Sequence, residues 1–194
     1  MLARMNALPS LVPGRSCGEC TVCCRVPAID KPEVQKESGV WCRHCVGGCT
    51  IYETRFEICR TFHCAWRQMA NLDESWRPDR SGIYMEFQFL NNVMGVSLML
   101  VDDPQAVVRR AGFIDFVATC VTHNVPVWLG LLGSPGHQGK QNLLNIQPMR
   151  EAAAVSRERV GALLETALAR LQAHVSQPYE MTNSGNNVGA PADG

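Results

Sequence analysis

The chain has 194 residues, and its 18 Lys+Arg balance 18 Asp+Glu, so it lacks the basic excess that a nucleic-acid binder carries. Hydrophobic residues make up 46 % of it, enough for a core without covalent staples, and no apolar run is long enough to predict a membrane-spanning helix. The outlier is cysteine: there are ten, and nine fall between Cys17 and Cys64.

Residues 1–14 read as a leader. Leu2, Leu8, Leu11 and Val12 are apolar, but Pro9 and Pro13 interrupt them, so the continuous apolar stretch of a secretory signal is missing. The expected compartment is therefore a reducing cytoplasm, where cysteines this dense point to metal rather than to disulfides. Residues 15–66 are rich in Cys, Gly and charge with only short apolar runs, so a bound metal is expected to supply much of their folding energy.

Three cysteine groups carry that expectation. The first is Cys17-Gly-Glu-Cys20-Thr-Val-Cys23-Cys24. A two-residue gap lets neighbouring thiolates curl around one ion, as in zinc ribbons, while three cysteines at this spacing also begin a ferredoxin-type run. The run ends Cys-Cys rather than in the spacing a ferredoxin continues with, and adjacent Cys23 and Cys24 are poorly placed to share one ion. The second group holds Cys42, His44, Cys45 and Cys49, with Gly47 and Gly48 allowing the chain to turn back tightly. The third holds Cys59, His63 and Cys64. The candidate ligands are thus Cys17, Cys20, Cys23, Cys24, Cys42, Cys45, Cys49, Cys59 and Cys64. Nine thiolates exceed one tetrahedral site, so two mononuclear sites or one iron–sulfur cluster with spare thiols both satisfy the count, and all-sulfur donors suit zinc and iron alike. His44 and His63 are expected beside the ligands rather than among them. Arg60 is expected to offset the thiolate charge or to pair with Glu53. Trp41, Phe62 and Trp66 are expected to cover the cluster.

Residues 67–80 read as a linker, ending Trp76-Arg77-Pro78-Asp79-Arg80. Residues 81–175 read as an α+β domain, a small antiparallel sheet flanked by two helices. Ile83, Met85, Phe87 and Phe89 alternate, Val93 to Val101 is apolar, and Leu90-Asn91-Asn92 turns between them, which predicts a β-hairpin. Asp103 then caps a helix with Pro104 at its first position, running to about His123. Phe113, Phe116 and Cys120 share one face of it, which makes Cys120 a core residue. Val125 to Leu132 predicts a third strand, and a long helix spans about Met149–Val175. Gly133–Lys140 has glycines out of step with a phosphate-binding loop and is read as a surface loop. Residues 176–194 are Gly-, Asn- and Ser-rich without period and are expected to be disordered.

The cysteine order resembles a known family. Cys17-x2-Cys20-x2-Cys23-Cys24, followed by Cys49-Thr-Ile-Tyr52-Glu53-Thr-Arg55 and Cys59-Arg60-Thr-Phe62, resembles the bacterial zinc- or iron-chelating cysteine-cluster domains over residues 15–66. That resemblance implies Cys17, Cys20, Cys23, Cys24, Cys42, Cys49 and Cys59 as the recurring cysteines, with Cys45 and Cys64 as additions found in longer members. The domain also resembles the cysteine-rich part of flagellin lysine methylases. The expected function is metal binding, with zinc or iron, as a mononuclear ion or an iron–sulfur cluster, as cofactor and partner. A metal-cluster enzyme for protein modification or redox chemistry and a thiol redox sensor stand as alternatives, and no Ser/His/Asp order or paired carboxylates name a reaction.

Overall fold

The computed structural model describes residues 8–180, so residues 1–7 of the expected leader and residues 181–194 of the expected tail lie outside the described residues. The class is α+β. After the Val22–Cys24 3₁₀ turn come two short strands, β1 (Ile29–Lys31) and β2 (Val34–Lys36), paired antiparallel, and a five-residue helix α1 (Glu57–Thr61). A four-residue helix α2 (Pro78–Ser81) leads into the main sheet, formed by β3 (Ile83–Leu90), β4 (Val93–Leu100), β5 (Val127–Leu131) and β6 (Lys140–Leu143) in that spatial order. The helices α3 (Pro104–Arg109) and α4 (Ala111–Thr122) connect β4 to β5, and α5 (Gln147–Val155) and α6 (Arg157–Ala173) follow β6.

The hairpin forms where the alternation places it. β3 and β4 pair antiparallel from Ile83↔Leu100 to Leu90↔Val93, and Asn91 and Asn92 turn with φ of 49° and 63°, the paired left-handed conformation that a two-residue hairpin needs. The sheet is mixed, however, and not wholly antiparallel. The α3–α4 connection carries the chain back across the sheet, so β5 runs parallel to β4, from Val96↔Val127 to Leu100↔Leu131. β6, which no expectation covered, begins where the turn-rich stretch ends and pairs antiparallel with β5.

Two long-helix expectations are corrected in the same way. The helix after Asp103 breaks at Arg110, which is extended at φ −67°, ψ 129° while its guanidinium bonds the Ser81 carbonyl. Asp103 does cap α3, accepting from the Ala106 N–H at 3.1 Å. The last helix breaks at Ser156, extended at φ −163°, ψ 157°, whose hydroxyl accepts from the Arg159 N–H and so starts α6. A serine makes a better cap than helix interior, and here it competes successfully with the helix. α6 ends at Ala173.

The pleat gives the sheet two unlike faces. Ile83, Met85, Phe87, Val96, Leu98, Leu100, Val127, Leu129 and Leu131 point toward the helices and form the core with Phe113, Val117, Cys120, Val160, Leu164 and Leu168. Cys120 is buried there, as expected. Ala65, Trp66 and Leu72 belong to the same apolar cluster, so the third cysteine group is anchored in this core. The opposite face presents Tyr84, Glu86, Gln88, Ser97, Met99 and Trp128, and the cysteine-rich segment lies against it: Phe62 stacks on Tyr84 at 6.0 Å, and Ser38 accepts from the Gly136 N–H at 3.1 Å. The Gly133–Lys140 loop is held by that bond and by residues 177–179, which bond Gln138 and Gly136. Among the described residues no helix is long and apolar enough to cross a membrane.

Candidate metal centre

The three cysteine groups meet in space. Eight of the nine clustered cysteines, Cys17, Cys20, Cys23, Cys24, Cys42, Cys49, Cys59 and Cys64, line one cavity of about 300 Å³ between the cysteine-rich segment and β3. Cys45 is absent from its wall and lies just beside it, its thiol in contact with Cys24. All nine are half-buried and none forms a disulfide. His44 and His63 also face the cavity, while Pro27, Ile29, Val34, Ile58 and Phe62 make much of the remaining wall apolar.

Local turns bring the sulfurs in. The Cys20 N–H bonds the Cys17 carbonyl at 3.0 Å, and the Cys24 N–H bonds that of Thr21 at 2.8 Å. The Cys42 N–H reaches back to the Cys24 carbonyl at 2.9 Å, the Cys45 N–H to Cys42 at 2.9 Å, and Cys45 bridges to Cys49. Gly47, at φ 66°, makes that last return possible.

Four of the cavity thiols resist ionisation. Burial pushes the Cys20 and Cys59 thiols up and lifts Cys64 to about 11. Cys24 is raised further still, by hydrogen bonding with Cys23 and then by burial. Each is a neutral thiol at neutral pH that would give up a proton to a metal. Among the described residues no three His, Cys, Asp or Glu side chains stand ready around one point to hold an ion. The donor set nonetheless fits a thiophilic metal in number and chemistry, with eight sulfurs and two imidazoles on one wall.

The residue composition missed is Lys36. It is 5 % exposed, and its ammonium donates to the carbonyls of Arg25, Glu37 and Val40 at 2.8, 3.2 and 3.0 Å. Burial lowers its pKa, while the nearby Cys42, Cys24, Cys23 and Cys59 favour its charge. Strand alternation on β2, with Val34 and Lys36 inward and Gln35 outward, was the available signal. Arg55 is the second cation here: it stacks on Tyr52 at 3.9 Å and faces Cys17 and Cys49. Arg60 instead is exposed and donates to the Arg55 carbonyl at 2.9 Å. Of the expected covers, Trp66 is buried and lines the cavity, Phe62 stacks on Tyr84, and Trp41 is exposed with Arg25 over its ring. His44 packs against Phe56 at 5.8 Å. Burial, then the Arg67 and Arg55 charges, keep the His63 imidazole neutral, with Arg67 3.3 Å from its Nδ1.

Two more contributions come from outside the cysteine-rich segment. Tyr84 and Glu86 on β3 line the cavity and bond each other at 3.3 Å. Asp79, paired with Arg77 at 2.7 Å, also bonds the Cys20 thiol. No protein-family model, curated protein or solved structure matches this chain, so its site is read from its own residues.

Proposed function

We propose that this chain is a metal-binding protein of the reducing cytoplasm that chelates zinc or iron, either as single ions or as an iron–sulfur cluster, through its clustered cysteine thiolates. One observation carries the reading: eight thiols from three separate sequence groups line a single cavity beside a buried ammonium. Sulfur donors favour zinc and iron over hard cations such as magnesium and calcium. Lys36 and Arg55 supply positive charge, where four thiolates on one divalent ion would leave a net charge of about minus two. Metal would also make up for what the segment lacks, since no residue of the Val22–Cys24 turn, the Tyr52–Thr54 turn or α1 is fully buried.

Purification without oxygen tests the reading. A brown protein with broad absorption near roughly 400 nm identifies an iron–sulfur cluster. A colourless protein with stoichiometric zinc identifies thiolate-bound zinc, and a metal-free protein that takes up neither refutes the proposal.

A contact between the Cys24 and Cys45 thiols is the observation behind a second reading, a thiol redox sensor, and because both thiols are raised the oxidation would be slow at neutral pH. Peroxide would take two electrons and two protons from this pair and leave a disulfide. A Cys24–Cys45 disulfide in the peroxide-treated chain, found by peptide mapping, supports it, and a chain that stays fully reduced excludes it.

A further inference from the structure

The cavity's eight thiols fall into two sets. The Cys17–Cys20 turn is pinned to the third cysteine group by Arg15, whose guanidinium donates to the Met69 carbonyl at 2.9 Å and the Leu72 carbonyl at 2.5 Å and bonds that of Trp66. Arg67 returns a bond to the Arg15 carbonyl at 3.1 Å, and the Val12 N–H reaches Arg67 at 2.9 Å. This clasp places Cys64 beside Cys17 and Cys20. On the other side, the Cys42–Cys24 backbone bond and the Cys45–Cys49 bridge gather the second group, and Cys59 faces Cys42, Cys24 and Cys49.

The adjacent pair Cys23 and Cys24 lies on a 3₁₀ turn, where successive side chains leave the axis about a third of a turn apart. Cys23 neighbours Tyr84, as Cys64 does, and also faces Lys36 together with Cys24, Cys42 and Cys59, while Cys24 contacts Cys45. Their own sulfurs also touch, so the two sets adjoin at this pair. Four thiolates saturate one tetrahedral ion, and eight line the cavity.

We infer that the cavity holds two metal centres side by side, one served by Cys17, Cys20, Cys23 and Cys64 and the other by Cys24, Cys42, Cys49 and Cys59. This rests on the metal-binding reading above. Cys45 is left out of both and acts as the thiol partner of Cys24. The inference explains why two adjacent cysteines sit where one ligand would serve a single ion, and why one set draws on Cys64, rooted beside the buried Trp66.

The test titrates the reduced, metal-free full chain with Co²⁺ in the absence of oxygen, following thiolate-to-cobalt charge-transfer absorption and confirming the count by Zn²⁺ displacement. Two equivalents are expected. The double variants Cys17→Ser/Cys64→Ser and Cys42→Ser/Cys59→Ser should each keep one, with different visible bands, and Cys45→Ser should keep both. Circular dichroism reports whether each variant folds, and if one double variant does not, the wild-type count and the other variant decide. A wild type saturating at one equivalent overturns the two-centre arrangement and leaves metal binding standing, as does loss of both equivalents in a folded double variant. No thiolate–cobalt absorption at all overturns metal binding itself.

Discussion

Lys36→Met removes an ammonium that is buried against the thiols. In the native chain that group holds three carbonyls from the two segments that bracket Cys24 and Cys42. Methionine fills similar volume but donates nothing, so Arg25, Glu37 and Val40 each keep a carbonyl oxygen without this donor. Each such loss costs about 1–3 kcal/mol, and water entering from the adjoining cavity recovers part, so the metal-free variant should lose about 3–5 kcal/mol. The loss of charge adds a second effect. With fewer positive charges facing Cys23, Cys24, Cys42 and Cys59, assembling thiolates there costs more, and metal affinity should fall about tenfold or more. Urea denaturation of the metal-free chain reads the first effect, and competition against a chromophoric chelator reads the second. A Lys36→Met protein matching the wild type in both would refute the role assigned to this ammonium.

Trp66→Ala empties a site 1 % exposed and removes a bond from the indole N–H to the Asp73 carbonyl at 2.9 Å, so denaturation should show a loss of about 3–5 kcal/mol. Gly95→Ala would set a Cβ 2.2 Å from the Pro126 carbonyl oxygen and should prevent β4 and β5 from pairing, giving little soluble protein. Gly112→Ala, in α4 with open space around the position, should raise stability by about 0.5–1 kcal/mol in the same assay. The buried Cys120 thiol is pushed up to about 12, so above the ordinary thiol range the unfolded chain ionises first. Its contribution is complete at lower pH and is lost as pH rises toward 12, at about 1.4 kcal/mol per pH unit. Urea midpoints between pH 8 and 10.5 should therefore fall more steeply for the wild type than for Cys120→Ala, and parallel slopes would contradict this. Chelating the proposed metal should speed amide exchange across residues 15–64 while β3, β4 and α6 stay protected; uniform exchange throughout would show that both parts open together.

The hairpin, the capped α3 and the core position of Cys120 were legible because each depends on local pattern: alternation, an Asp-Pro start and one apolar helix face. Strand direction was not, since β5 is turned parallel by two helices whose packing no local pattern encodes. The breaks at Arg110 and Ser156 were missed for a related reason. Apolar periodicity runs on through both, whereas the side-chain bond that accompanies the extended backbone at each point leaves no mark on that pattern. At the candidate site, the cysteines announced themselves by density. Lys36, Tyr84 and Glu86 did not, because each is an ordinary strand residue until the fold brings it to the cavity wall. Arg60 attracted the electrostatic argument by its place beside Cys59, but proximity in sequence did not set its direction.

Metal content and thiol reactivity, measured together on the chain purified under reducing, oxygen-free conditions, test metal binding most directly. Bound zinc or iron is predicted, with the cavity cysteines shielded from a disulfide reagent until a chelator strips the metal and exposes them. A metal-free chain whose clustered thiols react at once, with or without chelator, would contradict it.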